Sequence, residues 1–203
     1  MSLVRVLREA DYRQMPWKNG GGITTEIAVF PHDANTTNFD WRISMAQIAV
    51  DGWFSKFLGV DRTLSILAGK GIMLSVAGTA ETQISPASAP YSFPADTPAY
   101  ARLIDDPVAD LNVMTRRGSF SHRVFQLESS AFSEWNLNAD TTIVLCHTSP
   151  LQIKTEKALV QLAPLDAVIF DSVPETISLS SGNQQKIHLI EINCHSRYNQ
   201  VRT

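Results

Sequence analysis

Cysteine is scarce in this chain: Cys146 and Cys194 are the only two in 203 residues. Two thiols so far apart form neither a disulfide framework nor a Cys-x-x-Cys redox or metal motif, and both read as ordinary thiols. Long apolar runs are missing too. No stretch of about 18 uncharged apolar residues occurs, the length a membrane helix needs. Arg5, Arg8, Glu9 and Asp11 break up the opening dozen residues, where an export signal would need an apolar core. A cytoplasmic location is the expectation. Clustered positive charge is absent as well: 17 basic against 20 acidic side chains give a net charge of −3, and no window holds the basic footprint that nucleic-acid binding requires.

The usual catalytic and metal signatures are equally thin. Five histidines, at 32, 122, 147, 188 and 195, form no His-x-His or His-x3-His pair. In Cys146-His147 and Cys194-His195 the neighbours would point to opposite faces of a strand and could not share an ion. Without a G-x-S-x-G elbow, Ser121-His122 is no sign of a hydrolase. The glycine-rich Lys18–Gly22 segment lacks the spacing of a P-loop and leads into a strand. Neither a metal nor another cofactor is expected.

What the chain does contain is a succession of short runs rich in Val, Ile, Leu, Phe and Thr, punctuated by Gly, Pro, Asn and Asp. They cover 23–30, 41–48, 63–67, 72–76, 99–104, 119–127, 142–147, 151–155, 158–162, 167–170, 176–179 and 186–192. This rhythm predicts an all-β protein of antiparallel strands. Helix is expected only in small stretches, 7–13 and a turn over 52–59. So many strands need closed or covered edges, as barrels, jelly rolls and sandwiches provide. A faint internal echo bears on domain count. Leu64–Gly69 is followed by Phe93, Pro98 and Leu103, and Thr142–His147 by Phe170, Pro174 and Leu179. Two copies of one barrel, 1–106 and 107–203, fit this echo, with the first strand free to pair with the other copy. A single irregular sandwich is the alternative.

Four segments carry a more specific signal: Met15–Ile27 with its three consecutive glycines, Phe39–Ala46, Phe54–Leu64 and Asp110–Arg117. In order and content they closely resemble the HutD/Ves family of bicupins, from residue 15 to about 120; beyond that only strand rhythm continues the likeness. The resemblance implies two cupin (RmlC-like jelly-roll) β-barrels with few short helices. It also implies an accessory or regulatory role in bacterial histidine utilisation, sensing an intermediate such as formylglutamate, although some members look stress-related.

Metal-binding cupins place two histidines and a glutamate on their first strands, with a further histidine after a turn. Laid on this sequence, that pattern puts Arg62 at the glutamate position, Ser55 and Phe57 at the histidines and Ala99 near the last ligand. A guanidinium in place of a carboxylate reverses the charge offered to a guest, and its planar fork suits a carboxylate or formyl oxygen. Alternatively, Arg62 simply pairs with Asp61 or another rim carboxylate. Alternation over Phe39–Ile48 puts Arg42, Ser44 and Ala46 on one face, either lining a cavity or facing solvent. Lys18 and Asn19, beside Gly20–Gly22, offer a charge and an amide where glycine backbone N–H groups can converge on an anion; a plain hairpin tip is the alternative. Asp110 and Asn112 share a face if Asp110–Arg117 is extended, and buried they would need partners.

The leading expectation is a non-catalytic binding protein for a small anionic metabolite. Lys18, Asn19, Arg42, Ser44, Arg62 and Asn112 would contact a carboxylate or formylated amino acid, supported by Thr24, Glu26, Asp61 and Asp110. A metal-independent isomerase, lyase or hydrolase using Lys18, Glu26 or Asp110 as acid or base is the second reading. An interaction scaffold presenting Trp17, Trp53 and Phe54 is the third. A homodimer is compatible with the exposed sheet edges.

Overall fold

The computed structural model describes residues 3–17, 20–129, 133–171, 175–182 and 185–195. In chain order the strands are β1 (Leu3–Leu7), β2 (Arg13–Pro16), β3 (Gly22–Phe30), β4 (Trp41–Ile48), β5 (Gly52–Trp53), β6 (Val60–Ala68), β7 (Ile72–Val76), β8 (Thr82–Ile84), β9 (Tyr91–Pro94) and β10 (Ala99–Leu103). They continue with β11 (Val108–Arg116), β12 (Phe120–Ser129), β13 (Ser133–Leu137), β14 (Thr141–Cys146), β15 (Leu151–Lys154), β16 (Leu159–Leu162), β17 (Ala167–Asp171), β18 (Glu175–Ser180) and β19 (Gln185–Cys194). The protein is all-β, and the strand pairs whose registers are given below are antiparallel.

Helix all but disappears. The segment expected to be helical over 7–13 keeps one 3-10 turn, Glu9–Asp11. Its ends are taken by sheet ladders, Leu7 opposite Ala167 and Arg13 opposite Glu26. Nor is 52–59 a helical turn. Gly52 and Trp53 pair with Ala101 and Tyr100, and the following loop closes at Gly59 with a φ of +66°, a conformation that glycine adopts without a Cβ clash.

The chain divides into two compact units, one of Arg13–Ser121 with His195 and the other of His122–Cys194 with the described residues of 3–12. The boundary therefore falls within β12 and not at 106/107. The physical reason is β11, which lies hydrogen-bonded between β4 and β6 over most of its length and cannot leave that sheet. In the first unit the six-stranded sheet runs β2-β3-β4-β11-β6-β9 and the four-stranded sheet β5-β10-β7-β8. Ile48, Leu64 and Ile66 from the former meet Ile72, Leu74 and Ala101 from the latter in one core. Each fully buried Leu or Ile there contributes about 1.5–3 kcal/mol.

The second unit repeats the plan with sheets β1-β17-β14-β19-β12 and β13-β18-β15-β16. Its core joins Val144, Val168 and Leu189 to Leu151, Ile153 and Ile177. Cys146 is buried in this core, its Sγ donating to the Ser149 carbonyl at 3.0 Å. Strand β1, from the beginning of the chain, is hydrogen-bonded to β17 across Leu3–Leu7.

Candidate functional site

Alternation along three neighbouring strands of the first unit assembles a cavity wall. Arg42, Ser44 and Ala46 on β4, Asp110, Asn112 and Met114 on β11, and Arg62 on β6 all line one cavity of about 500 Å³, a size ordinary for small-molecule sites. The ladder sets their levels. Met114 lies opposite both Arg42 and Arg62, Asn112 opposite Ser44, and Asp110 opposite Ala46; successive levels are roughly 7 Å apart. Strand β4 is buried on both faces from Trp41 to Ala46. Its polar face therefore turns to the cavity and not to bulk solvent.

Arg62 is only 3% exposed. One terminal nitrogen donates to the Ser55 carbonyl at 3.1 Å, and its guanidinium carbon lies 5.2, 5.4 and 5.7 Å from the ring centres of Phe54, Phe57 and Phe93. These aromatic faces support the cation without neutralising it. Among the described residues no carboxylate pairs with Arg62 and its Nε has no hydrogen-bond partner. Burial pushes the guanidinium down to about 10, partly opposed by the charge of Asp110. It stays positive at neutral pH. The pairing with Asp61 does not occur, because consecutive strand residues face opposite ways: Asp61 accepts from Arg117 Nε at 2.8 Å. Asp61 therefore does not support the cavity residues, contrary to its expected place.

Arg42 is equally buried but paired, its Nε donating to Glu26 Oε2 at 2.6 Å. Glu26 thus holds Arg42 in position from β3. Thr24, also on β3, accepts from Trp17 Nε1 at 2.7 Å, and both residues line the cavity. Asp110 is fully buried. Its Oδ1 accepts from the Ala46 backbone N–H at 3.1 Å and from Asn112 Nδ2 at 2.7 Å, while Oδ2 has no partner among the described residues. Burial pushes this carboxyl up to about 7, against the pull of Arg62 and these two hydrogen bonds.

Lys18 and Asn19 lie outside the described residues. The adjoining glycines make a hairpin turn: Gly20 N–H donates to the Trp17 carbonyl at 3.0 Å and Trp17 N–H to the Gly22 carbonyl at 2.9 Å. With its N–H spent on the turn, Gly20 contributes nothing to a backbone anion nest. Gly22 serves packing, since a Cβ there would lie 2.2 Å from the Gln47 carbonyl oxygen and 3.1 Å from the Trp17 ring.

The aromatic support of Arg62 was not among the expected ligand contacts. Its sequence signal is the Phe54-x-x-Phe57 spacing just ahead of Arg62, where Ser55 and Phe57 align with the histidines of metal-binding cupins. Both line the cavity. Among the described residues no three His, Cys, Asp or Glu side chains are grouped as a metal would require.

The chain and its fold have known counterparts. The family model described as HutD matches residues 9–189. An uncharacterised 21.2 kDa protein from the hutC 3' region of Pseudomonas putida is 29% identical over 193 residues, 95% of this chain and 98% of that protein. Protein Ves of Citrobacter koseri is 41% identical over 111 residues, 53% of this chain and 56% of its own length. The structure of HutD from Pseudomonas fluorescens SBW25 (formate condition) superposes with a TM-score of 0.80 at 28% identity, covering 95% of this chain and 100% of that one. A mutant of Bacillus subtilis oxalate decarboxylase, at 7% identity and a TM-score of 0.67, shares the fold alone. With the family match spanning most of both compact units, the chain belongs to the HutD family.

Proposed function

We propose that the chain is a non-catalytic sensor in histidine utilisation, built as a bicupin whose first unit binds a small carboxylate such as formylglutamate. The observation that carries this reading is Arg62, a buried cation with no carboxylate partner among the described residues, facing a cavity of metabolite size. A guanidinium in that position gains most from a guest that brings its own negative charge, through two parallel charge-assisted hydrogen bonds. Arg42, already neutralised by Glu26, adds a polar wall and not a competing anion site. The HutD family match and the relative named for the hutC region support a HutD-type role. Incubation of the purified protein with formylglutamate, glutamate, urocanate and formate tests the proposal: stabilisation against heat without turnover supports it.

One observation favours a second reading, a metal-independent enzyme acting on the same anion. Asp110 is a carboxyl poised near neutrality inside the cavity, as a general acid or base would be. Consumption of any of the four compounds would establish it.

A further inference from the structure

We propose that the guest of this cavity is an amphiphilic carboxylate, its charged head at Arg62 and an apolar alkyl or aryl tail lying against Ile48, Val50 and Trp53. The proposal rests on the anion-binding reading of Arg62 and specifies what the remainder of the cavity holds.

The lining changes character along a single strand face. On β4 the cavity is lined in turn by Arg42, Ser44, Ala46 and Ile48: a guanidinium, a hydroxyl, a methyl and a branched alkyl group, spaced two residues apart on one side of the strand. The first and last are separated by about 20 Å of extended chain. The cations gather at one end. Arg42 and Arg62 are the only lysine or arginine side chains among the described lining residues, and both lie opposite Met114, whereas Ile48 lies opposite Val108. Beyond Ile48 the wall continues through Val50, Trp53 and Ala101, and the one ionisable side chain there is Asp51. A second carboxylate at that end would meet Asp51 and no described cation, so the far end of the guest is not anionic.

Exposure points the same way. Val50 and Trp53 are 54% and 71% exposed although both line the cavity, and Trp53 stands edge-on to Tyr100 with ring centres 5.1 Å apart. Their loop is held in place: Asp51 Oδ1 accepts from the Leu103 N–H at 2.7 Å, and the Phe54 N–H donates to the Ala99 carbonyl at 2.9 Å. Large apolar side chains fixed in water beside a cavity gain when a guest covers them, and a pinned rim loses little freedom in the process. A guest of a few polar atoms would reach Arg62 and leave most of the 500 Å³ unfilled.

Calorimetric titration of the whole protein with formate, butyrate, hexanoate, octanoate and 8-aminooctanoate at about pH 7, where every carboxylate is ionised, tests this. Affinity should rise about threefold per added methylene, and so roughly a hundredfold from butyrate to octanoate. 8-Aminooctanoate has the same reach but ends in an ammonium, and should bind about tenfold more weakly than octanoate. In Val50→Ser/Trp53→Ser, which alters two exposed side chains, the octanoate-to-butyrate ratio should fall to about ten. A ratio near one in wild type, a full ratio that survives in the double variant, or equal binding of 8-aminooctanoate and octanoate overturns the proposal. Arg62→Gln judges the underlying reading separately: it should weaken butyrate and octanoate by the same factor, and undiminished binding there refutes the anion site. Failure of every probe to bind a protein that thermal melts show to be folded refutes both.

Discussion

Arg42 and Arg62 stand on either side of Met114 at one level of the six-stranded sheet, and only Arg42 has a carboxylate, Glu26, within bonding distance. Two buried guanidinium groups thus have different duties. The pair Arg42–Glu26 is nearly dry, with side-chain exposures of 5% and 12%, so removing one partner strands a charge. Glu26→Gln should lower stability by about 3–5 kcal/mol in urea denaturation. Replacing both residues by methionine should recover much of that loss, because the desolvation cost leaves together with the attraction.

Gly22 makes a sharper steric prediction. Gly22→Ala must move either the Gln47 carbonyl or the Trp17 ring, and should cost about 1–3 kcal/mol with a change in tryptophan fluorescence. Gly52→Ala is the control, since a Cβ there meets nothing within 4 Å.

Two buried titrating groups shape the pH dependence of stability in opposite directions. His188 is 1% exposed, neither ring nitrogen has a partner among the described residues, and burial, helped by His147 and Lys186, pushes its pKa from 6.5 down to about 3. Between those values the unfolded chain holds the extra proton, so stability is lost as pH falls from about 6.5 toward 3. For Asp110, raised from 3.8 to about 7, the folded chain holds the extra proton. Its contribution is full below the ordinary carboxylate range and is lost as pH rises through about 7. Relative to wild type, His188→Gln should gain stability on acidification and Asp110→Asn on alkalinisation. Each gain should be on the order of 1 kcal/mol per pH unit within its window, read from urea midpoints across about pH 4.5 to 8.

The sequence announced most of the strands because their apolar runs are long and clearly bounded. It concealed β1, β2 and β13, whose charged or polar residues dilute the pattern: Arg5 in Leu3–Leu7, Arg13 and Gln14 in Arg13–Pro16, Glu134 and Asn136 in Ser133–Leu137. β9 ends in Pro94, which reads as a strand breaker and is tolerated at the rim. A Pro after two Asp reads as a linker near 106/107, whereas 104–107 is a short connection between β10 and β11. Within the site, parity on β4 and β11 was readable and brought Arg42, Ser44, Asp110 and Asn112 to one wall. The same parity turns Asp61 away from Arg62, and Asp61 accepts from Arg117 instead. The aromatic rings around Arg62 were hidden because a loop, Phe54–Phe57, supplies two of them, and loop geometry leaves no periodic trace.

Binding at Arg62 is where the reading of this cavity is most exposed to contradiction. Calorimetric titration of N-formylglutamate into wild type and Arg62→Gln, with thermal melts to show that both are folded, compares the two directly. Wild type should bind and Arg62→Gln should lose roughly a hundredfold in affinity, its melting temperature unchanged or higher because an unpaired buried charge is gone. Equal affinity in two folded proteins would contradict an anion site built on Arg62.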